Sequence, residues 1–287
     1  MLLTQTERFR LLLEAQGVQI SRWHNIKLFL IGSFFNYVIP GGVGGDAIKA
    51  FYLHKDLGHQ SKSVPYTVLF DRFLGLYVML AMALIVMIFD WPRFAASREL
   101  QSIAVFFMMA FFGLTAVTAI MLAHKGRQLI LRFVPMRMAR LRAIITTINT
   151  AFEFYARAPR IVLLSIFWSF TCQVAAVLSL YAVGLSMVAA GRLAPGLDLP
   201  LRSFFFVAPL GFVLSAIPIA PAGIGLGQAA FFFLFNAYLG QKTAVGPTSI
   251  TVMQIVIFCW SLFGLLFYVA RRTHPKDESI SKTQPSD

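Results

Sequence analysis

Charge is what this sequence has least of. Only 13% of its 287 residues are Asp, Glu, Lys or Arg, about half the share of a soluble domain. Just 12 are acidic, while 58% are apolar, and that combination excludes an ordinary soluble fold. Cysteine is nearly absent as well. Cys172 and Cys259 lie far apart in apolar stretches, so neither a disulfide framework nor a cysteine metal site is expected. His24, His54, His59, His124 and His274 show no metal-ligand spacing. The first 25 residues mix polar and apolar types and lack the order of a cleavable leader, so none is expected. "GGVGGDAIK" lacks the GK[ST] of a phosphate-binding loop. "GLGQAA" at 225–230 has no preceding strand and no acidic residue at the distance a dinucleotide site requires. No Ser–His–Asp arrangement can be assembled. The expectation is a non-enzyme without metal or cofactor.

What the sequence does hold is long apolar runs. Residues 64–89, 103–123, 161–187 and 248–270 are each long enough to cross a bilayer, which takes about 20 apolar residues. Four further runs are apolar but shorter. They are residues 26–39 and 45–57, parted by "PGGVG", and residues 203–217 and 226–239, parted by a stretch holding "PIAPAGIG". At 1.5 Å per residue such runs reach roughly 20–23 Å, short of a hydrocarbon core of roughly 30 Å. Residues 1–25, with Arg8, Arg10 and Arg22, read as an amphipathic helix lying on the membrane surface.

The basic residues set the orientation. Residues 124–160 carry eight cations (Lys125, Arg127, Arg132, Arg137, Arg140, Arg142, Arg157 and Arg160) against the single acid Glu153, which marks a cytoplasmic segment. Its apolar residues Leu129, Phe133, Met136, Ile144, Ile148 and Phe152 recur at helical spacing, as in a helix pair on the membrane surface. The C-terminus, following Arg271 and Arg272, falls on the same side. Residues 26–57 must then enter and leave from the cytoplasm, and residues 203–240 from outside. The predicted fold is an all-α polytopic integral membrane protein, a transmembrane helix bundle with two oppositely oriented, Gly/Pro-broken re-entrant hairpins. It forms a single membrane-embedded domain over residues 1–270 with a disordered cytoplasmic tail at 271–287. The net charge of +13 reflects these loops and contact with anionic lipid head groups; nucleic acid is not an expected partner.

A pair of short, Gly/Pro-interrupted apolar segments in corresponding halves is the strongest sequence pointer to a transport site. Here the pair is "IPGGVGGDAIKAF" and "IPIAPAGIGLGQAAFFF". Each begins a new helix after the break, near Gly45 and near Gly225. The unpaired N–H groups at such ends favour an anion, a lipid phosphate above all. Against this stands close helix packing alone, as a GxxxG pattern at Gly41 and Gly45 would give. Nearby charge weighs toward function: Asp46 at the N-cap position, Lys49 one turn on, and Asp71 with Arg72 inside the first long span. A charge at that depth costs roughly 2.5–3.5 kcal/mol and needs a partner or a wet cavity. The expected pairings are Lys49 with Asp71 and Asp46 with Arg72, serving either as scaffold or as substrate contacts.

The blocks "FFNYVIPGGVGGDAIKAFYL", "DRFLGL" and "PIAPAGIGLGQAAF" closely resemble the signatures of the lysylphosphatidylglycerol synthase transmembrane region family, the flippase-like domain, here in standalone form without an aminoacyl-transferring domain. Position by position, the resemblance implies site residues Pro40, Gly41, Gly42, Gly44, Gly45 and Asp46, with Lys49 where Arg is usual, and Asp71 and Arg72 in the next block. In the last block it implies Pro221, Gly223, Gly225 and Gln228. Ala222 replaces a glycine, and Gly227 and Gln228 stand where Arg and Glu are common. The family also implies about two further spanning helices ahead of the first block. Either the start site is misassigned, or this is a shortened form, or a second copy in a homodimer or another partner supplies that surface. The implied function is a flippase of the bacterial inner membrane that moves a phosphate-bearing lipid. A transferase acting on lipid-linked substrates, and a scaffold docking an enzyme on residues 124–160, are the alternatives.

Overall fold

The computed structural model describes residues 1–39, 44–57, 64–122, 139–191, 198–217 and 221–273. Pro40, Gly41 and Gly42 lie outside the described residues. So do Leu129, Phe133 and Met136 of the basic segment, and the tail from residue 274.

Among the described residues the chain is helical throughout. The helices are α1 (Leu2–Ala15), α2 (Arg22–Val38), α3 (Gly44–Leu57), α4 (Val64–Phe89), α5 (Trp91–Ala96) and α6 (Arg98–Leu122). They continue with α7 (Ala139–Ala156), α8 (Pro159–Ala189), α9 (Leu201–Ser215), α10 (Leu226–Leu239) and α11 (Val245–Thr273). A 3-10 turn, Pro221–Gly223, precedes α10. The molecule is an all-α polytopic membrane protein. Helices α4, α6, α8 and α11 are long and apolar enough to cross a bilayer. Their outward stripes stay apolar, with Phe106, Met109 and Phe112 on α6 and Phe263 and Leu266 on α11 left exposed. Such stripes suit contact with hydrocarbon rather than water.

The four short runs form two antiparallel helix pairs. Residues 22–38, 44–57, 201–215 and 226–239 make helices of 17, 14, 15 and 14 residues. In the first pair His24 faces Asp56 at the open end and Asn36 faces Gly45 at the tip. In the second, Phe206 meets Tyr238 toward the open end and Gly227 faces Ser215 at the tip. The two pairs open at opposite ends of the bundle. Asp56 of the first is bound by Arg271 at the close of α11. Asp90, just past the far end of α4, accepts hydrogen bonds from Tyr238 and from Arg202 of the second pair.

The tips converge on Gln254 in α11. The Tyr37 hydroxyl at the end of α2 donates to the Gln254 carbonyl at 3.0 Å. The Gln254 amide in turn donates to the Ala222 carbonyl at 3.3 Å and accepts from Gln228 at 2.7 Å. Two broken helix pairs thus meet tip to tip inside a cage of long helices.

Two local expectations, for α1 and for Asp46, are corrected. Helix α1 does not lie on a surface: it packs against α8, α2 and α4, with Phe9, Leu12 and Leu13 fully buried. Its outward face keeps Arg10 between Glu7 and Glu14, at 3.0 and 3.1 Å. Between α4 and α6 the short helix α5 places Phe94 in the core beside Phe206. Asp46 is the third residue of α3 rather than its N-cap, because helical geometry already begins at Gly44.

Candidate functional site

A cavity of about 470 Å³ lies where the two tips, α1 and α4 come together. Arg8 and Gln5 enter it from α1, Ser33 and Asn36 from α2, Asp46 and Lys49 from α3, and Asp71 and Arg72 from α4. Val213 and Ala216 close it from the end of the α9 segment. The volume falls in the range typical of small-molecule sites.

Glycine makes the approach of α2 and α3 possible. A Cβ on Gly45 would collide with the Gly32 carbonyl and stand 2.7 Å from the Asn36 amide oxygen. A Cβ on Gly32 would lie 3.0 Å from the stem of Lys49. Gly45 is therefore a packing residue. Its N–H, the donor expected to meet a phosphate, instead donates to the Asn36 side chain at 2.9 Å. The Gly225 N–H is likewise taken, by Gln228 Oε1 at 2.6 Å.

The charges form two clusters. Arg8 spans Asp71 with two parallel bonds, Nε to Oδ1 at 2.7 Å and Nη2 to Oδ2 at 2.8 Å, and its Nη1 donates to Ser169 at 2.9 Å. This bidentate fork is the strong geometry for a guanidinium and a carboxylate. The second cluster centres on Asp46, which accepts from Lys49 at 2.6 Å and from Arg72 Nε. Lys49 also sits over the Phe29 ring at 4.1 Å and faces Phe9 at 5.4 Å, an arrangement that stabilises a cation away from water.

The expected Asp46–Arg72 pairing is present; the expected Lys49–Asp71 pairing is not. Lys49 reaches back one turn to Asp46, and Asp71 goes to Arg8. Exposure separates the cations. The side chains of Arg8, Lys49, Asp46 and Asp71 are each about one-tenth exposed, while that of Arg72 is 45% exposed at the cavity. Three cations face two carboxylates among the described lining residues, which leaves an excess of one positive charge.

Arg8 is the residue that sequence reasoning missed. A signal existed: Arg8 falls on the same face as Phe9, Leu12 and Leu13, away from Glu7, Arg10 and Glu14. Gln254 was missed too, because its role depends on how two distant tips converge. In the second block Gln228 joins that tip network, donating to Thr251 at 3.2 Å as well as to Gln254. Gly223 and Gly225 hold φ of +69° and +88°, and Ala222 holds +49°. Pro221 opens the turn. Val213 and Ala216, rather than the glycines of that turn, reach the cavity itself.

A helical membrane bundle with a half-open cavity of net positive lining at the meeting of two broken helix pairs defines the class of this protein. The family model for the lysylphosphatidylglycerol synthase TM region matches residues 1–266, and the chain belongs to that family. Comparison with curated proteins and with solved structures gives no match to either. Among the described residues no group of three His, Cys, Asp or Glu side chains is assembled as a metal ion would need.

Proposed function

We propose that this chain is a lipid translocase that receives a phosphate-bearing head group in the cavity between the two tips and passes it across the cytoplasmic membrane. One observation carries the reading: the cavity has an excess cation, and Arg72 is the charged side chain of its lining that stays half exposed. A phosphate entering there meets the guanidinium without disrupting the Arg8–Asp71 pair. Asp46 holds Arg72 in place and Lys49 fixes Asp46; neither binds the substrate itself.

The two helix pairs dip into the membrane from opposite faces without crossing it. They thin the barrier to the region around Gln254, where neutral amides and the Tyr37 hydroxyl line the way between the faces. The end bearing Asp56 and Arg271 faces the cytoplasm, together with the basic segment 124–160. The end bearing Asp90 and Arg202 faces outward. Residues 1–270 act as one membrane domain.

The test is reconstitution in liposomes with head-labelled lipids, followed by a membrane-impermeant quencher. Movement of intact lipid between leaflets is the expected result. Chemically altered lipid would favour a transferase, and neither movement nor alteration would favour a docking scaffold.

A further inference from the structure

A second space lies on the opposite side of α4. It is a groove of about 410 Å³ between α4, α6, α7 and α8, walled by Phe73, Tyr77, Phe152, Val162, Leu163 and Ile166. Phe73 lines both this groove and the charged cavity, so the two spaces meet at one side chain. We propose that the groove seats the hydrocarbon tail of the lipid whose phosphate head occupies the cavity. The inference rests on the head-group reading above and extends it to the form of the substrate: a long-chain phosphate bound through both its parts.

Three features argue for a tail. Three of the four hydroxyls along the groove already donate within the protein or are held on several sides. Thr115 donates to the Phe111 carbonyl at 2.8 Å, and Thr118 to the Leu114 carbonyl at 2.7 Å. The Tyr155 hydroxyl is held by Gln16, Thr67 and the Leu12 carbonyl. An apolar occupant therefore leaves the hydroxyls of Thr115, Thr118 and Tyr155 satisfied.

The wall is also set before any ligand arrives. Phe73 packs edge-on against Phe152 with centroids 4.6 Å apart, and Phe70 stacks on Tyr155 at 4.1 Å. Rigid walls reduce the ordering cost of binding. Finally, the groove opens sideways, where Leu163 is 66% exposed. A chain can enter from the bilayer while its head stays in polar surroundings. Arg72 and Phe73 are neighbours on α4, so one helix divides the amphiphile into its two environments.

The experiment uses the full-length protein in nanodiscs and a phosphatidate carrying a photoactivatable group in mid-chain. Label is expected in peptides from α6 and α8 that border the groove. Leu163→Trp or Ile166→Trp should reduce it severalfold, whereas Ile255→Trp, on the exposed face of α11, should not. Arg72→Gln should reduce it as well, because the head then no longer anchors the tail. Competition by unlabelled diacyl phosphate and by polyprenyl phosphate distinguishes the two sources of such a tail, and displacement by either supports the groove. Label that resists both competitors and survives Arg72→Gln would mean bulk lipid only and would overturn the inference. So would a complete lack of label in those peptides. In both cases liposome transport, measured separately, still judges the head-group reading by itself.

Discussion

Arg8 in α1 and Asp71 in α4 face each other through two parallel hydrogen bonds across 63 positions of sequence. Both side chains are about one-tenth exposed, and Ser169 of α8 satisfies a further guanidinium nitrogen. The pair therefore ties three helices together at the floor of the cavity. Breaking a buried pair leaves one charge without a partner, which costs roughly 3–5 kcal/mol. Asp71→Asn should lower the melting temperature in detergent sharply. An Arg8→Met, Asp71→Leu double variant should recover most of that loss, because an apolar pair of similar volume has no desolvation to offset. A double variant as unstable as the single one would show that the pair is not the cause.

Lys49 and Arg72 share Asp46 but should behave differently. Lys49→Gln removes a buried cation from its carboxylate and from the Phe29 ring, so a stability loss of about 3 kcal/mol is expected. Arg72→Gln acts on a half-exposed side chain and should leave the melting curve nearly unchanged. Parallel thermal scans of the two variants check this. Equal losses would contradict the division of roles.

How far the site can be read without coordinates follows from these charges. The Asp46–Arg72 contact was legible because a glycine turn and a charged first turn must face something polar inside a membrane. The partner of Asp71 was not. Helical spacing says which way a side chain points on its own helix, and it cannot rank Lys49 against an arginine on a helix that was expected outside the bundle. The long spans were legible because crossing a bilayer takes about 20 apolar residues, and the run 64–89 coincides with α4, Val64–Phe89, at both ends. The burial of α1 depends on α8 offering it an apolar face, which no local pattern records.

The glycines divide into two kinds. Gly45→Val should prevent accumulation of folded protein, because its side chain meets the Gly32 backbone and the Asn36 amide. Gly225 has open space around it but a φ of +88°, so Gly225→Ala should fold with a loss of about 1–3 kcal/mol from backbone strain. Ala222 is a non-glycine residue at φ +49°, and Ala222→Gly should be neutral or stabilising by up to about 1 kcal/mol, since strain relief outweighs added chain entropy. Expression levels and melting temperatures of the three variants test the assignment.

Acid should loosen the open end of the first helix pair. Burial pushes the Asp56 carboxyl up, but hydrogen bonds from His24 and Arg271 outweigh it and hold the carboxyl below the ordinary carboxylate range. A folded value below the unfolded one contributes stability that is complete above the unfolded value and disappears as pH falls through the folded one. Melting temperature should therefore hold through neutral pH and decline in the acid range. Asp56→Asn should flatten that decline. An unchanged acid limb in this variant would assign it to other carboxylates.

Opposed openings of the two pairs require opposite sidedness. In a background without Cys172 and Cys259, single cysteines replacing His54 or Arg157 should react with impermeant reagent only from the cytoplasm. Those replacing Gln101 or Lys242 should react only from outside. All four positions are on or beside the ends of described helices and are exposed. Labelling of His54 and Lys242 positions from one side would break the arrangement.

In the proposed translocase, positive charge at Arg72 receives the lipid head. The most direct measurement of that role is the rate of head-labelled lipid scrambling in liposomes for Arg72→Lys and Arg72→Gln, with reconstituted protein matched by amount and melting temperature. Arg72→Lys should keep most of the wild-type rate, and Arg72→Gln should lose it while remaining folded. Wild-type scrambling by the folded Arg72→Gln variant would contradict it.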